Sequence, residues 1–569
     1  MIVYGDPDYI IRPEQLLPRL SPLIEKARFS SLDAARDLLI ACGQIEQAIS
    51  DVGIDDSTAR QATNRAADYF LNIVRAPAEK AGAREFSLSS VQSLLTQALA
   101  AAPSELRIKI PEGCAFYCLY PEQYASAAQQ WSTQHEPGGD VLVVGIRSIG
   151  TNLSALVASA LNQHGHKASR VTVRPGGHPF AREVELPAFT GKFSAALVVD
   201  EGPGLSGSSI AAVIRALKKS GIRDNTIFPS HAGAPGEAAS PEVREIWKFT
   251  PRIVTPVLTK NWEENFVFAD LKSTSERLLQ SVVVESLDLS SGLWRDLFKA
   301  EHPYPSAPAF ERTKYLLRAE NGRGMLWKFA GLGCGRGMTS LADEAWDKQK
   351  QLAEEGWCPL PAAQANGFIG TEWIDATPVT CAEFRRDPDR SSEILSRYIL
   401  AAANPPLSRV QITENAGRLQ NMTVLNIREA LGENHARQVP NLADRLETLL
   451  PLPSYGDGRL GPHEWLSFGN QPLKADIWGH DADHTCVGQQ SILWDIAGAM
   501  MEWEMTQAQK TIFCNRFADQ AWPIDLEALR FHLLAYCAFQ TGVASFCGDR
   551  ERTEKLKRRI TEVLGEDTG

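Results

Sequence analysis

The sequence predicts an α/β protein of several domains, with a helical N-terminal region, a parallel-sheet domain and an α+β C-terminal half. Apolar residues recur at helical spacing up to about residue 105. Two continuous apolar runs then end in glycine-containing loops that lead into helices, as the strands of a parallel sheet do. Farther on, strand patterns surround a glycine-rich loop and a helix. The predicted divisions are 1–105, 106–257, a linker with short helices at 258–310, and 311–569.

Length and charge limit the classes of function. The 569 residues suffice for about three or four domains, and the net charge of −11 disfavours nucleic acid and anionic membranes as partners. No apolar run approaches the roughly 18 residues that span a bilayer, and the N-terminus does not resemble a signal peptide. The ten cysteines form no CxxC pair, which indicates reduced thiols. We therefore expect a cytoplasmic protein that acts on small-molecule substrates, and the N-terminal helices are compatible with a homo-oligomer.

The parallel-sheet domain is predicted to begin near Leu106. Its first segment, Cys114–Tyr120, is apolar and aromatic and is predicted to be a strand. Core packing is favoured for Tyr117 and Tyr120, and stacking on a base is the alternative.

Residues 195–209 combine a strand, two acids, a small-residue loop and a helix. The apolar run Ala195–Val199 fits a strand buried on both faces, and Asp200 and Glu201 follow it directly. The N–H groups of such a loop and helix N-terminus bind anions, whereas paired carboxylates suit sugar hydroxyls. We therefore predict a site for a phosphorylated sugar. Its predicted phosphate-binding residues are Gly204, Leu205, Ser206, Gly207, Ser208 and Ser209.

Two upstream loops carry positive charge toward the same site. The apolar strand Val141–Ile146 ends at Arg147, and open α/β sheets bind ligands at the carboxyl ends of their strands. The glycine- and proline-rich loop Arg174–Arg182 carries two arginines and His178.

In their order and spacing, these segments resemble type I phosphoribosyltransferases. The resemblance implies a Rossmann-like domain that binds 5-phosphoribosyl-1-pyrophosphate as donor together with Mg²⁺, with an acceptor that the sequence leaves open. Asp200 and Glu201 would hold the ribose hydroxyls, and with Arg147 they would form the catalytic group. The loop 174–182 would be a lid over the pyrophosphate. The residues implied to bind the pyrophosphate are Arg147, Ser148, Ile149, Gly150, Thr151, Arg174 and Arg182.

The loop after Glu201 departs from that family. It is one residue longer than usual and contains Pro203. An ordinary strand-to-helix turn is therefore the alternative for this segment.

The C-terminal half begins with a second pattern of strands. The predicted elements are the strands Lys314–Arg318 and Met325–Phe329, the glycine-rich loop Gly331–Gly337, the helix Ser340–Glu354 and the strand Gly367–Ile374. A strand lysine, Lys328, and a helix glutamate, Glu344, have the layout of a kinase amino-terminal lobe. In that layout Lys328 would hold ATP phosphates, Glu344 would orient it, and Glu372 and Ile374 would lie in the hinge.

Downstream motifs are similar to aminoglycoside-phosphotransferase-like kinases. Gly456-Asp457 has the form of their catalytic loop, and Leu493–Ala499 contains a Trp-Asp-hydrophobic-Ala sequence. The resemblance implies a two-lobed α+β kinase-like domain that uses ATP, with Asp457 as base and Asp495 bracing its loop. Asp481 or Asp483 would bind Mg²⁺.

Two features of this region leave alternatives open. Pro462 stands where the family has asparagine, and His463 or Glu464 could substitute for it. The run His480–His484 holds two histidines and two aspartates, so a transition-metal site is a further hypothesis.

The principal interpretation is a phosphoribosyltransferase fused to a kinase-like ATP-binding domain. One alternative is a non-catalytic sensor or scaffold that binds a nucleotide or phosphoribosyl pyrophosphate. The other is an ATP-dependent small-molecule phosphotransferase with an accessory α/β domain.

Overall fold

The computed structural model describes residues 1–565 with several gaps. The gaps are 6, 30, 76–80, 190, 205, 237–238, 256–264, 298–309, 468–471, 481–483, 485–487, 520–521 and 523. Among the described residues, no helix combines the length and the apolar character needed to cross a bilayer.

Four helices form the N-terminal region, as predicted. They are α1 (Pro13–Arg28), α2 (Leu32–Asp51), α3 (Ser57–Arg75) and α4 (Ala81–Ala100). Every residue of α2 from Ala34 to Ile49 is buried, because this helix packs between its neighbours and the rest of the chain. The carboxylate of Asp37 accepts a 2.7 Å hydrogen bond from the N–H of Gly333. Helix α2 thus links the N-terminal region to the C-terminal half.

A short antiparallel pair closes the N-terminal region. Its strands are β1 (Asp8–Ile11) and β2 (Leu106–Lys109). The next element, α5 (Glu112–Phe116), is a helix, so the predicted strand at Cys114–Tyr120 is wrong. Tyr120 is fully buried and donates a 2.7 Å hydrogen bond to the carbonyl of Asn366, which agrees with its predicted core role.

A four-stranded parallel sheet forms the centre of the second region. In spatial order its strands are β4 (Lys167–Val173), β3 (Asp140–Ile146), β7 (Ala195–Val199) and β8 (Asn225–Phe228). Helices α7 (Gly150–Gln163) and α8 (Ser208–Lys219) pack against it, and α6 (Pro121–Thr133) packs against α7. Because β3 and β7 are parallel neighbours, Arg147 and Asp200 follow their strands at the same edge of the sheet.

The predicted lid is a small hairpin. Its strands are β5 (Gly176–His178) and β6 (Ala181–Glu183), and β6 packs against α8. Helix α9 (Pro241–Phe249) follows β8 and also packs on α8.

A five-stranded antiparallel sheet begins the C-terminal half. In spatial order its strands are β12 (Pro361–Ala365), β13 (Phe368–Glu372), β11 (Gly324–Phe329), β10 (Lys314–Ala319) and β9 (Val283–Asp288). Strand β9 lies inside the predicted linker, which therefore contributes an edge strand. Helix α10 (Phe266–Leu279) packs on one face, where Ser275 accepts a 2.9 Å hydrogen bond from Trp327. Helix α11 (Leu341–Glu354) follows the glycine-rich loop.

The remainder of the chain is mainly helical. A small sheet of β14 (Thr377–Pro378), β15 (Trp465–Ser467) and β16 (Leu473–Lys474) lies within it. The helices are α12 (Cys381–Arg386), α13 (Pro388–Ala402), α14 (Arg409–Leu431), α15 (Glu433–Ala436), α16 (Leu446–Leu449), α17 (Leu493–Glu502), α18 (Gln507–Ala518), α19 (Leu526–Phe546) and α20 (Arg550–Gly565). One hydrophobic core joins these helices to Ala330 and Ile369 of the antiparallel-sheet part.

Candidate functional sites

The first candidate site lies at the carboxyl end of β7. Asp200 and Glu201 are half-buried there, and Glu201 accepts a 3.0 Å hydrogen bond from the N–H of Gly113. Burial raises the pKa of Asp200 to about 7. Burial, together with the charges of Glu112 and Asp200, raises the pKa of Glu201 to about 8. Among the described residues, no lysine or arginine shifts the pKa of either acid, so no cation of the described chain offsets their charge.

The loop after these acids leads directly into α8. Gly207 caps the helix with a φ of 62°, and a Cβ there would approach Cγ of Pro235 to 2.8 Å, so only glycine fits. Gly207 has no side chain to cap this helix, and the hydroxyl of Ser206 accepts a 3.3 Å hydrogen bond from the N–H of Ser208. Ser206 and Ser208 donate to the carbonyl of Pro179 in the lid hairpin, at 2.9 and 2.6 Å. The predicted phosphate-binding Leu205 lies outside the described residues, whereas Gly204 and Ser209 border the same loop.

Arg147 and Arg174, both predicted to bind pyrophosphate, meet at one carboxylate. Asp51, the last residue of α2, accepts hydrogen bonds from Arg174 at 2.6 and 2.7 Å and from Arg147 at 3.1 Å. These contacts lower the pKa of Asp51 against the opposing effect of burial. Asp51 was not predicted from the sequence, because it belongs to a helix far from this loop in the chain.

The other residues of the predicted pyrophosphate group are arranged differently. Ile149, Gly150 and Thr151 are buried at the start of α7, and Ser148 is half-buried. Arg182 donates a 2.8 Å hydrogen bond to the carbonyl of Gly177 within its own hairpin. Among the predicted arginines, the structure therefore brings Arg147 and Arg174 together and leaves Arg182 on the lid.

The second candidate site is a cavity of about 260 Å³ between the antiparallel sheet and the helical part. Lys328, Glu372 and Ile374 all line it, so three of the four predicted ATP-binding residues border the same cavity. Apolar side chains such as Leu326 and Ile369 also line it.

Glu344, the fourth predicted ATP-binding residue, has a different contact from the one predicted. Its carboxylate accepts from the N–H of Gly337 at 3.3 Å and from the hydroxyl of Thr339. The carboxylate that contacts the ammonium of Lys328 belongs to Asp476. Since Glu344 lies in the first turn of α11, it reaches the glycine-rich loop that precedes this helix.

Asp495 braces the loop that carries Asp457, as the resemblance implied. Its carboxylate accepts hydrogen bonds from the N–H groups of Gly456, Asp457 and Gly458 at 3.2, 3.3 and 2.8 Å. Burial and the nearby charge of Asp457 raise the pKa of Asp495 to about 7. These three hydrogen bonds hold the backbone of the loop in place at Asp457.

The side chain of Asp457 is fully buried and is contacted on both of its oxygens. Its Oδ2 accepts a hydrogen bond from the hydroxyl of Tyr398 at 2.5 Å and lies 3.0 Å from the ammonium of Lys474. Its Oδ1 accepts a 3.2 Å hydrogen bond from the N–H of Arg459, and His480 lies 3.5 Å from the same oxygen. Burial alone would raise the pKa of Asp457, but Lys474, His480 and Tyr398 together lower it to about 2. Asp457 does not line the cavity.

Two acids that do line the cavity are also paired with lysines. Glu464 accepts a 2.7 Å hydrogen bond from Lys474. Asp476 contacts Lys328 and lies 3.5 Å from Lys314. Burial lowers the pKa of Lys328 to about 8, although the charge of Asp476 opposes this shift. Asp476 was not predicted from the sequence, although its position directly after the hairpin of β15 and β16 could have indicated it.

The described residues contain no cluster of three or more acidic, histidine or cysteine side chains that could hold a metal ion. Asp481 and Asp483, the predicted Mg²⁺ ligands, lie outside them. His484, proposed as a zinc ligand, stacks on Phe116 with ring centroids 4.8 Å apart and contacts the hydroxyl of Tyr117. The carboxylates of Asp457, Glu464 and Asp476 already face ammonium groups.

Comparison with known proteins gives structural neighbours only. No protein-family model matches the chain, and no curated protein matches it. The choline kinase LicA from Streptococcus pneumoniae is 16% identical with a TM-score of 0.32, over 44% of this chain and 89% of that one. The macrolide 2'-phosphotransferase MphH from Brachybacterium faecium is 14% identical with a TM-score of 0.28, over 45% and 89%. The GDP and kanamycin complex of APH(2")-IIia is 10% identical with a TM-score of 0.31, over 52% and 98%.

These neighbours are of the kinase-like kind that the C-terminal half resembles in sequence. Their identities and TM-scores are too low to carry an argument about activity. They also leave the phosphoribosyltransferase resemblance of the parallel sheet unsupported.

Proposed function

We propose that the C-terminal half binds a nucleoside triphosphate in its cavity and transfers a phosphoryl group to a small molecule. The observation that carries the proposal is that Lys328, Glu372 and Ile374 line one cavity together with Gly458 of the loop that Asp495 braces. An apolar wall suits a nucleobase, and the buried lysines suit phosphates.

Phosphoryl transfer requires mainly positioning and charge stabilisation from the protein. Lys328 and Lys314 both line the cavity and lie within reach of the same carboxylate, so they form one positive edge. Approach of phosphate oxygens would compete with Asp476 for these ammonium groups. The reaction would then be favoured by the exclusion of water from this partly closed cavity.

The group that receives the proton of the acceptor hydroxyl is better assigned to Glu464 than to Asp457. Asp457 has a pKa of about 2, is fully buried and lies away from the cavity surface. Glu464 lines the cavity, and burial raises its pKa. A base with a pKa nearer the working pH accepts a proton more effectively.

The proposal is tested by calorimetric titration with ATP and by transfer of labelled γ-phosphate to a metabolite pool. Lys328→Met should weaken ATP binding by about tenfold or more, because it removes one charge from the phosphate contact. Lys350→Met is the matched control, since Lys350 is exposed on α11. Equal ATP affinity in wild type and Lys328→Met, or no binding at all, would contradict the proposal.

Phosphoribosyl transfer in the parallel-sheet region is a second candidate function. The observation that favours it is the pair Asp200 and Glu201, which lies close in the chain to the N-terminus of α8 and has no counter-charge among the described residues. Carboxylates accept hydrogen bonds from ribose hydroxyls, and helix N-termini bind phosphate. Phosphoribosyl pyrophosphate with Mg²⁺ is therefore the donor we propose for this site.

This second candidate is tested with labelled phosphoribosyl pyrophosphate and a panel of nucleobases. Wild type should bind the donor, and Asp200→Asn with Glu201→Gln should lose turnover more than affinity for the 5′-phosphate. A binding protein without turnover would indicate the sensor alternative. Absence of donor binding by the wild type would remove phosphoribosyl transfer from consideration.

A further inference from the structure

Lys474 is held by two acids and a carbonyl inside the C-terminal site. It is the last residue of β16, and its side chain is fully buried. Its ammonium donates hydrogen bonds to Glu464 at 2.7 Å and to the carbonyl of Asp476 at 2.5 Å, and it forms an ion pair with Asp457 at 3.0 Å. The ammonium is therefore shared between the carboxylates of Glu464 and Asp457.

The position of this ammonium is the one that a divalent cation would need. A cation in this site would bind the carboxylates of Asp457 and Glu464, which are the acids on either side of Lys474. Mg²⁺ requires about six oxygen ligands at roughly 2.0–2.1 Å. It could reach these two carboxylates only if Lys474 left, because two cations so close together repel each other strongly.

A third acid beside Lys474, Asp476, is also paired with lysines. Asp476 contacts Lys328 and lies 3.5 Å from Lys314. The acids Asp457, Glu464 and Asp476 are thus balanced by an equal number of lysines, before any ion is added. Moving the buried ammonium of Lys474 away from Asp457 and Glu464 would break both of its ion pairs, which is costly.

We propose that the ammonium of Lys474 stands in the place of a divalent cation, so that this cavity binds nucleoside phosphates without Mg²⁺. The inference rests on the nucleotide site proposed above. In this arrangement Lys474 offsets part of the negative charge of Asp457 and Glu464, which would otherwise repel phosphate, and Lys328 and Lys314 contact the phosphate oxygens. The positive charge that a metal would bring is supplied by side chains.

The first experiment uses the wild-type chain and ATP. Calorimetric affinity for ATP in excess EDTA should lie within about threefold of the affinity in excess Mg²⁺. Binding that appears only with Mg²⁺ would overturn the inference and leave the nucleotide site intact. Binding under neither condition would overturn the proposed function, and the metal titration below would then decide the inference.

The second experiment counts Mn²⁺ sites by electron paramagnetic resonance, without nucleotide. Lys474→Ser should bind one Mn²⁺ more than the wild type, because it frees two carboxylates that face each other. Adding Glu464→Gln to this variant should remove the extra ion. A folded Lys474→Ser that gains no ion, or a wild type whose Mn²⁺ count falls on Glu464→Gln, would overturn the inference. If Lys474→Ser does not fold, the wild-type comparison with Glu464→Gln still decides it.

Discussion

The acids of the parallel-sheet site and those of the C-terminal cavity have different electrostatic surroundings. Among the described residues, no lysine or arginine shifts the pKa values of Asp200 and Glu201, and burial raises these values to about 7 and 8. Beside the cavity, Asp457 is paired with Lys474, and its pKa falls to about 2 despite complete burial. Burial penalises a carboxylate in both places, and the presence of an ammonium decides the sign of the shift.

The difference indicates how much each site depends on a ligand. The cavity acids are stabilised by the chain itself and need no added cation. The acids after β7 have no such stabilising cation among the described residues. The arginines of the parallel-sheet site differ from its acids, because Arg147 and Arg174 are already paired with Asp51. Each of these charged groups is therefore expected to respond differently to substitution.

The largest expected effect concerns Lys474. Lys474→Met should lower the free energy of unfolding by about 3–5 kcal/mol, because it leaves two buried carboxylates without their counter-charge. Urea denaturation at pH 7 measures the change. The control Lys350→Met, at an exposed position of α11, should stay within about 0.5 kcal/mol of the wild type. Equal stability of Lys474→Met and wild type would show that the cavity acids do not depend on this ammonium.

Substitution of the two acids after β7 is expected to raise the free energy of unfolding at high pH, by less than the loss expected at Lys474. The raised pKa values of Asp200 and Glu201 mean that the folded state holds protons that the unfolded state releases. Their contribution to stability is therefore present at low pH and is lost as pH rises through about 7 to 8. Asp200→Asn with Glu201→Gln should be more stable than wild type at pH 8.5 by about 1–3 kcal/mol, and similar to it near pH 4.

Thermal unfolding across this pH range checks that prediction. Glu183→Gln, an exposed carboxylate in the same region, should leave the pH profile of the wild type unchanged. Asp37 and Asp495 also have raised pKa values and contribute equally to all three proteins, so only the differences are compared. Parallel pH profiles for wild type and the double variant would mean that the two acids are stabilised by a group of the chain.

Local patterns predicted much of this arrangement. The apolar run before Asp200 and the helical spacing after Ser208 each lie within one short segment, so the strand, the acids and α8 could be predicted from the sequence. Lys328 on its strand was predicted in the same way. Cys114–Tyr120 was misassigned because a short apolar run does not distinguish a buried strand from a buried helix.

Contacts between distant segments could not be predicted. Lys328 and Asp476 are 148 residues apart in the chain, and Asp51 reaches Arg174 across 123 residues. Only the packing of the separate elements brings such pairs together. The ammonium of Lys474 between two acids is a feature of this kind as well, since the sequence shows a lysine at the end of a short strand and nothing of its neighbours.

The smallest expected effect tests whether the arginines of the parallel-sheet site are available to anions. Asp51→Asn should strengthen the binding of inorganic pyrophosphate by about three- to tenfold, because it frees the guanidinium groups of Arg147 and Arg174 from a partly exposed carboxylate. Calorimetric titration measures the change, and Asp55→Asn, at an exposed position nearby, serves as control. Unchanged affinity in Asp51→Asn would indicate that these arginines have a structural role and that pyrophosphate binds elsewhere. Stronger binding would mean that helix α2 competes with the ligand, which ties the N-terminal region to the chemistry of the sheet.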